Sequence, residues 1–362
     1  PVQIKSRRNK SPRQLRKLEH LRLAMSLPPG PGRTGFDDVL LLPEALPNIA
    51  TAELDLSTTF LGYRLQSPIL INAMTGGTPE AARINARLAK VAKEAGLALA
   101  LGSQRAALED PSLVYTYTIA RRVNPGGVIL ANLGAGCTPQ DAQRAVEMLG
   151  AQGLQLHLNA AQELTMVEGD RVFRWQDSIA AITKEMSVPV IAKEVGCGIT
   201  GSTAKRLINL GIRALDVGGK GGTNFVAIET ARRARPNQIF INWGLPTVWS
   251  LLDVVAVLRE ASLDRAEVCA SGGIANGLDM AKALALGAQV CGVAGPLLRA
   301  VVSGGVKAGL ELVNQWQGEL RSVLALTGAR NLTELRQKPI VITGVTYTWA
   351  VQRNLLPRKE IE

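Results

Sequence analysis

Short apolar runs recur along most of the chain, and segments with helical signals separate them. Nine runs of four or five residues can be counted between residues 68 and 293. They are 68–72, 97–101, 128–132, 154–158, 189–193, 214–217, 239–242, 267–271 and 289–293. Near-continuous apolar runs of this length are typical of parallel strands that are buried on both faces. The repeat therefore predicts strands that alternate with helices around a parallel sheet.

The segments between the runs carry the start and stop signals of helices. Thr78-Pro79 and Thr138-Pro139 each provide an N-cap followed by proline at the first helical position. Gly96 and Gly150 follow the apolar faces of these helices, and glycine is the residue that most readily ends a helix. This repeated unit favours a (β/α)8 TIM barrel, although an open doubly wound sheet satisfies the same pattern.

Nine runs are one more than such a barrel needs. The interval between residues 217 and 267 is much longer than the others, so we assign run 239–242 to an enlarged connection after the sixth strand. We therefore predict a barrel over residues 68–300. Residues 1–67 are expected to form a basic arm and N-terminal extension, and residues 301–362 a C-terminal helical tail packed on the barrel.

The net charge of +11 is concentrated at the N-terminus. Residues 1–22 hold eight Lys or Arg side chains and a single acid, Glu19, so this arm carries +7. Such an arm is typical of a solvated tail or of a segment that binds phosphate, nucleic acid or a membrane surface. No aromatic residues are interleaved with these charges and no nucleic-acid motif is present, which argues against a nucleic-acid partner.

Cysteine usage and hydropathy indicate the compartment. The four cysteines include no CxxC pair, which argues against a disulfide framework or a zinc site and favours a reducing environment. No apolar run reaches the ~18 residues of a membrane span, and the basic N-terminus lacks the apolar segment of a secretory signal. We therefore expect a cytoplasmic location and no membrane partner.

Polar or glycine-rich segments follow all eight predicted strands. Active sites of (β/α)8 barrels lie at the carboxyl ends of their strands, and core packing alone requires no polar residues there. Ser271-Gly-Gly273 and Gly292–Gly295 follow the seventh and eighth strands, where backbone N–H groups often bind phosphate. Either segment alone would be an ordinary tight turn, and the two together predict a phosphate site.

The segment HLNAAQE, residues 157–163, follows the fourth strand and contains one of the two histidines of the chain. Alone, His157 would be interpreted as a satisfied core histidine and Glu163 as an exposed acid at a helix start. Glu163 becomes a magnesium ligand if a diphosphate lies nearby, because Mg²⁺ is held by one or two carboxylates plus phosphate oxygens.

Two cations at strand ends each have two interpretations. Lys193 ends the fifth strand, where it either reaches solvent or places a positive charge beside a bound cofactor. Arg105 follows the second strand, where it forms either a surface ion pair or a bidentate contact with phosphate.

Taken together, these motifs resemble a known family, the type 2 isopentenyl-diphosphate isomerases. The resemblance runs in order from about residue 16 to residue 345. It rests on Arg16–His20, Met74–Gly77, Gly102–Arg105, Ala131–Gly134, His157–Glu163, Lys193–Glu194, Gly221–Thr223, Trp243–Thr247 and Ser271–Ile274. The segments RKxxH, GSQR and HLNxAQE are specific to that family, whereas many FMN-binding barrels share the glycine motifs.

The resemblance implies an FMN-dependent (β/α)8 enzyme of isoprenoid biosynthesis. Such an enzyme interconverts isopentenyl and dimethylallyl diphosphate by a 1,3-allylic proton shift, with the reduced flavin as the acid–base group. It implies a requirement for Mg²⁺, NADPH as the reductant of the flavin, and a homotetramer or homo-octamer.

The resemblance also implies a role for each matching residue. FMN would contact Ala73, Met74, Thr75, Ser103, Asn132, Lys193, Thr223, Gly272, Gly273, Ala294 and Gly295. The diphosphate substrate would contact Arg16, Lys17, Ser103, Gln104, Arg105, His157, Asn159 and Gln162. Gln162, Lys193 and His157 would be catalytic, with Lys193 stabilising the anionic reduced flavin, and Glu163 would hold Mg²⁺.

Three positions depart from the pattern of that family, and two other enzymes use the same scaffold. Cys197, Gly218 and Ala275 stand where the family often has Asn, Ser and Arg, which affects individual flavin contacts. An FMN-dependent 2-hydroxy-acid oxidase requires a histidine at a late strand end, and neither His20 nor His157 is there. An IMP dehydrogenase requires a nucleophilic cysteine in a glycine loop, for which Cys197 is the single candidate. We therefore favour the isomerase.

Overall fold

The computed structural model describes residues 11–28, 30, 32–233, 238–260 and 266–356. Residues 1–10 of the predicted basic arm and residues 357–362 of the predicted tail lie outside the described residues. Helix α1 (Pro12–Ser26) opens the described chain with a reciprocal cap, in which the side chains of Ser11 and Gln14 each accept the backbone N–H of the other residue.

Three short strands follow before the barrel begins. They are β1 (Val39–Leu41), β2 (Thr58–Phe60) and β3 (Tyr63–Leu65), of which β2 and β3 form an antiparallel hairpin. Phe60 and Leu65 on this hairpin are fully buried against Leu70, Ala98 and Ile191 of the barrel strands. The hairpin therefore closes the barrel at the end opposite the strand carboxyl ends.

Eight parallel strands close into one barrel in chain order. They are β4 (Ile69–Ile71), β5 (Ala98–Ala100), β6 (Ile129–Gly134), β7 (Gly153–Leu158), β8 (Val190–Glu194), β9 (Ala214–Asp216), β10 (Glu267–Ser271) and β11 (Val290–Val293). Each overlaps one of the apolar runs, so the predicted (β/α)8 TIM barrel is confirmed. Run 239–242 forms turns in the connection after β9, as assigned from its position in the sequence.

Helices surround the barrel, and they begin and end at the residues that carry the predicted start and stop signals. They are α2 (Pro79–Ala95), α3 (Arg105–Glu109), α4 (Tyr115–Val123), α5 (Pro139–Leu149), α6 (Ala160–Thr165), α7 (Gln176–Glu185), α8 (Gly201–Asn209), α9 (Phe225–Ala231), α10 (Thr247–Glu260) and α11 (Gly277–Leu286). The Thr78 hydroxyl accepts the N–H of Ala81 at 3.1 Å, and Gly96 ends α2 with a φ of 63°. Short 3-10 turns lie at Phe36–Asp38, Thr51–Glu53 and Pro111–Leu113.

The C-terminal region is joined to both the barrel and the N-terminal extension. It consists of α12 (Gly295–Leu326), α13 (Leu332–Gln337), β12 (Ile340–Ile342) and α14 (Gly344–Gln352). Helix α12 begins directly after β11, so the boundary expected at residue 300 falls inside a helix. Strand β12 pairs antiparallel with β1, and the tail is therefore not purely helical. Within the described residues, no helix combines the length and the hydropathy that a membrane span needs.

Candidate active site

A large cavity lies at the carboxyl ends of the barrel strands and has a volume of about 850 Å³. All eight strand ends contribute to its wall, and helix α1 covers its mouth with Arg13, Arg16, Lys17 and His20. Ligand pockets are typically about 300–1,000 Å³. The cavity therefore has room for a cofactor and a small substrate together.

The structure brings nearly all of the predicted site residues to this cavity. The residues expected to contact FMN line its wall: Ala73, Met74, Thr75, Ser103, Asn132, Lys193, Thr223, Gly272, Gly273, Ala294 and Gly295. Arg16, Lys17, Arg105, His157, Asn159, Gln162 and Glu163 also line it. Of the three departures from the family pattern, Gly218 and Ala275 lie at the wall, whereas Cys197 does not.

Gln104 is the predicted substrate residue that the structure does not bring to the cavity. Its side chain is fully buried, donates to the Ala145 carbonyl at 2.9 Å and accepts the N–H of Asn132 at 3.0 Å. Both ends of the amide are therefore used in joining β5, β6 and α5. This corrects the expectation that Gln104 contacts substrate, because its side chain positions the strand end behind the wall.

The end of the cavity that is predicted to bind phosphate lies after β10 and β11, and we refer to it as the phosphate end. Gly272 and Gly273 have φ values of 112° and 74°, a conformation that glycine adopts without strain. Helix α12 starts here at Gly295 without a capping side chain, so its first N–H groups are available to an anion. Arg299, one turn into α12, also lines this end. Arg299 is not among the residues predicted from sequence, although an arginine in the first helical turn after the eighth strand is a pattern that could indicate a phosphate contact.

Lys193 is held in place by a buried carboxylate. Its Nζ lies 3.0 Å from Oδ2 of Asp216, which also accepts a 2.6 Å hydrogen bond from Nδ2 of Asn72. The hydroxyl of Ser271 donates to the other carboxylate oxygen. Asp216 is fully buried, so these partners are what stabilise its charge away from water. Lys193 therefore presents a fixed cation at the wall, and it is not a solvent-exposed side chain.

His157 is neutral at the cavity wall. Its Nδ1 lies 3.0 Å from Oδ1 of Asn132. Burial, together with the charges of Lys193 and Lys17, lowers the pKa of His157 to about 4. The imidazole therefore carries no charge near neutral pH.

The remainder of the HLNAAQE segment forms one side of the cavity. Nδ2 of Asn159 donates to Oε1 of Glu163 at 2.8 Å, and the backbone N–H of Asp170 donates to Oε2 of Glu163 at 2.8 Å. These bonds fix the carboxylate and leave it lone pairs for a cation. Within the described ranges, no group of three His, Cys, Asp or Glu side chains is arranged to hold a metal by itself. A single fixed carboxylate of this kind can hold Mg²⁺ together with phosphate oxygens.

A buried acid that sequence patterns did not mark lies behind Gln162. Oε1 of Glu229 accepts from Nε2 of Gln162 at 3.1 Å and lies 2.8 Å from Nε2 of His20, and its other oxygen bonds Arg232. Burial alone would raise the pKa of Glu229, but the bonds from His20, Arg232 and Gln162 lower it to about 2. Glu229 is thus ionised next to the cavity.

Ion pairs across the mouth hold α1 over the cavity. Arg232 bonds Glu19 at 2.9 Å and Glu168 at 2.8 Å, and Arg16 lies 3.5 Å from Glu168. Lys17 donates to the Ser103 carbonyl at 2.8 Å. Burial, with Arg13 and Arg16 nearby, lowers the pKa of Lys17 to about 7. The basic residues of α1 are therefore concentrated where an anion would enter.

Arg105 lies at the rim of the cavity, where it forms an ion pair and also faces the space in which a phosphate would bind. Its Nη1 lies 2.8 Å from Oδ2 of Asp141, and its side chain is 35% exposed. It also lines the cavity, so a donor face of its guanidinium is available to a phosphate.

The fold and site are those of a (β/α)8 barrel enzyme with its cavity at the carboxyl ends of the strands. A family model described as FMN-dependent dehydrogenase matches residues 127–342. The chain belongs to the FMN-dependent, type 2 family of isopentenyl-diphosphate delta-isomerases. It is 49% identical over 335 residues to the isopentenyl-diphosphate delta-isomerase of Moorella thermoacetica, covering 92% of this chain and 95% of that protein. The corresponding enzyme of Symbiobacterium thermophilum is 45% identical over 95% of this chain and 96% of its own length.

Solved structures share the fold at much lower identity. A mandelate oxidase mutant with an FMN adduct superimposes with a TM-score of 0.61 at 18% identity, covering 90% of this chain and 92% of that chain. A putative lactate oxidase of Pediococcus acidilactici gives a TM-score of 0.63 at 15% identity over 91% and 87% of the two chains. These similarities concern the barrel architecture alone.

Proposed function

We propose that this isomerase interconverts isopentenyl and dimethylallyl diphosphate by a 1,3-allylic proton shift, using FMN, Mg²⁺ and NADPH as the flavin reductant. The observation that carries the proposal is a large cavity with a glycine-rich end at α12 and a basic helix, α1, over its mouth. Its two ends match the two anionic groups that such a reaction needs, a flavin phosphate and a substrate diphosphate.

The residues at the late strand ends fit a flavin phosphate. Gly272, Gly273 and the N-terminus of α12 present backbone N–H groups, and Arg299 adds a positive charge. The remaining predicted flavin residues, at the ends of β4, β5, β6 and β8 and in the loop after β9, would contact the rest of the cofactor. When bound and reduced, FMN would supply the acid–base group for the proton shift.

Replacing Gly273 with Ala is expected to prevent FMN binding. A Cβ at this position would overlap the backbone oxygen of Gly221 and narrow the phosphate end. Absorbance of the purified protein near the flavin maximum measures the effect. Gly62→Ala is the matched control, because Gly62 also has a positive φ (82°) but has open space around a built Cβ. Full flavin content in Gly273→Ala would show that the FMN phosphate does not bind at this end of the cavity.

Helix α1 and the HLNAAQE segment would bind the substrate diphosphate. Arg16, Lys17 and Arg105 supply positive charge, and Asn159 supplies an amide donor. Glu163 would hold Mg²⁺ together with phosphate oxygens. With the diphosphate at this end, the allyl group would lie deeper in the cavity near Gln162 and Lys193.

The chain itself would contribute a fixed charge, an oriented amide and the exclusion of water. Lys193, held by Asp216, stabilises negative charge at the wall. The ionised Glu229 orients Gln162 by accepting a hydrogen bond from its Nε2. Oε1 of Gln162 accepts from Nδ2 of Asn159 at 3.4 Å and keeps a second lone pair for another donor. Helix α1 covers the mouth of the cavity and would exclude water from it. This exclusion is needed because an alkene is a poor base, and bulk water would compete with it for the proton.

Replacing Arg16 with Gln is expected to raise the KM for isopentenyl diphosphate about 10- to 100-fold, since a hydrogen bond to a charged group contributes about 1.5–3 kcal/mol. Flavin content should not change, because Arg16 pairs with Glu168 at the mouth of the cavity and is not one of the predicted flavin residues. Arg22→Gln provides the control on the same helix, where the side chain is exposed and does not line the cavity. Equal KM values for the two variants would contradict a role of α1 in substrate binding.

Anaerobic turnover of isopentenyl diphosphate with FMN, NADPH and Mg²⁺ tests the proposed function directly. We expect dimethylallyl diphosphate to form without net consumption of NADPH, because the reaction has no net oxidation. Oxidation of a 2-hydroxy acid in air, without isomerisation, would instead favour the chemistry of the structural neighbours.

We also propose that the chain forms the homotetramer or homo-octamer that the family resemblance implies. Helix α14 is apolar around most of its circumference, a pattern typical of buried helices, yet Val345 is 60% exposed and Val351 is 49% exposed. Contact with other copies would cover these side chains. The cytoplasmic location stays a prediction.

A further inference from the structure

Five buried or half-buried side chains form a continuous hydrogen-bonded series across the top of the barrel. Nδ2 of Asn72 donates to Asp216 at 2.6 Å, and Nε2 of Gln155 donates to Oδ1 of Asn72 at 3.1 Å. Nδ2 of Asn132 donates to Oε1 of Gln155 at 3.1 Å. Nδ1 of His157 lies 3.0 Å from Oδ1 of Asn132. The series thus runs from a carboxylate on β9 to the imidazole at the cavity.

The carboxylate decides the direction of every bond in this series. An ionised carboxylate only accepts hydrogen bonds, so Asn72 must face it with the amide nitrogen. The backbone N–H of Ala73 donates to Oδ1 of Asn72 at 2.9 Å, which fixes the same orientation independently. Gln155 must then donate to Asn72, and Asn132 must donate to Gln155. The oxygen and nitrogen ends of all three amides are therefore fixed. Turning any one amide by 180° would break a buried hydrogen bond to its neighbour.

The direction of the series determines which nitrogen of His157 carries the hydrogen. Oδ1 of Asn132 is an acceptor, so Nδ1 of His157 must donate and the neutral ring has its lone pair on Nε2. Within residues 11–28, 30, 32–233, 238–260 and 266–356, the structure shows no protein hydrogen bond to Nε2. Gly134 lies beside this nitrogen, where a built Cβ would come within 3.3 Å, so its lack of a side chain keeps Nε2 open to the cavity.

We propose that Asp216, acting through Asn72, Gln155 and Asn132, is a positioning residue that fixes the tautomer of His157, so that His157 meets its ligand as a hydrogen-bond acceptor and not as a cation. The partner of Nε2 is then an O–H group, either a bound water or a protonated phosphate oxygen. The low pKa of His157 agrees with a ring that stays neutral. Only the identity of the ligand rests on the proposed function, since the tautomer exists in the ligand-free chain.

Solid-state NMR of the FMN-loaded enzyme, labelled with ¹³C,¹⁵N-histidine, measures the tautomer at any oligomer size. The chain has two histidines, and His20→Gln leaves the signals of His157 alone. We expect the unprotonated ring nitrogen to correlate with Cδ2, to which only Nε2 is bonded. A correlation of that nitrogen with Cγ would identify it as Nδ1 and overturn the proposal, as would a doubly protonated ring at pH 7.

Two substitutions of Gln155 test whether the series, and not Asn132 alone, sets the tautomer. Gln155→Leu removes the acceptor that orients Asn132, so we expect two tautomers of His157 in one sample. Gln155→Glu loses the donor to Asn72 but retains an acceptor for Nδ2 of Asn132, so Asn132 should keep its orientation and the single Nδ1–H form should persist. A single tautomer in Gln155→Leu would overturn the role of Asp216. If that variant does not fold, the wild-type spectrum still decides the tautomer, and Asp216→Leu in the His20→Gln background provides the second test of the series.

The role of Nε2 toward the ligand is tested separately. Adding inorganic pyrophosphate and Mg²⁺ should leave Nε2 unprotonated, and a proton on both nitrogens would show a cationic contact and overturn the acceptor role. His157→Gln can still accept a hydrogen bond, whereas His157→Lys can only donate, so we expect at least tenfold higher activity for the glutamine variant. Higher activity for His157→Lys would overturn the proposal. If neither the wild type nor the variants isomerise the substrate, the proposed function is wrong, and the tautomer measured by NMR is unaffected.

Discussion

Replacing Lys193 with Met is expected to lower the isomerisation rate about 100- to 1,000-fold, the usual loss when a preorganised charge is removed from a reaction site. The same substitution should reduce the free energy of unfolding by about 3–5 kcal/mol, since breaking a buried ion pair leaves an uncompensated charge. Asp216 is fully buried and its carboxylate lies 3.0 Å from Nζ of Lys193. Turnover assays and urea unfolding measure the two effects.

A second substitution separates catalysis from stability. In Lys193→Met/Asp216→Asn the buried charge is removed, while Asn72 and Ser271 keep an amide partner. Most of the lost unfolding free energy should therefore return, and activity should stay low because the cation at the wall is still missing. A Lys193→Met enzyme with wild-type turnover would show that Lys193 is structural only.

Replacing Glu163 with Gln is expected to lower turnover about 10- to 100-fold and to raise the Mg²⁺ concentration needed for half-maximal activity by a similar factor, as with other metal-site substitutions. The amide is close to isosteric but carries no charge for the cation. Its oxygen can still accept from Asn159 or Asp170, so the segment should keep its shape. Titration of activity with MgCl₂ gives both numbers.

The matched control is Glu185→Gln on the exposed end of α7, away from the cavity. Neither variant should change the flavin absorbance, because Glu163 lies at the opposite end of the cavity from the phosphate end. An unchanged Mg²⁺ dependence in Glu163→Gln would mean that its carboxylate is an ordinary acid at a helix start.

The barrel and the location of its site were predictable from local patterns. Each strand is a short apolar run bounded by polar or glycine residues, and the period of such runs can be counted directly in the sequence. Thr78, Thr138, Gly96 and Gly150 act within a few residues of their own positions, so their effects follow from local geometry. The carboxyl ends of parallel strands meet on one face, and for this reason scattered polar segments could be combined into one site.

Other features depended on side-chain direction and could not be read in this way. Gln104 lies between Ser103 and Arg105 in the same motif, yet its amide turns into the core to bond Ala145. The backbone turn after β5 decides this, and neighbouring residues in such a turn point in different directions. Sequence adjacency therefore predicted a cavity contact that the structure assigns to packing.

The sequence by itself determined the eight strands, the helix ends, the glycine-rich segments after the last two strands and the family. Only the tertiary structure showed that Asp216 pairs with Lys193, that Glu229 lies behind Gln162, and that α1 is tied down by Arg232, 213 positions from Glu19. These contacts join residues far apart in the chain, and no local propensity records them. The HLNAAQE segment shows the same contrast. Its position at a strand end was predictable from the sequence pattern, whereas the proposed tautomer of His157 depends on partners that are distant in the chain.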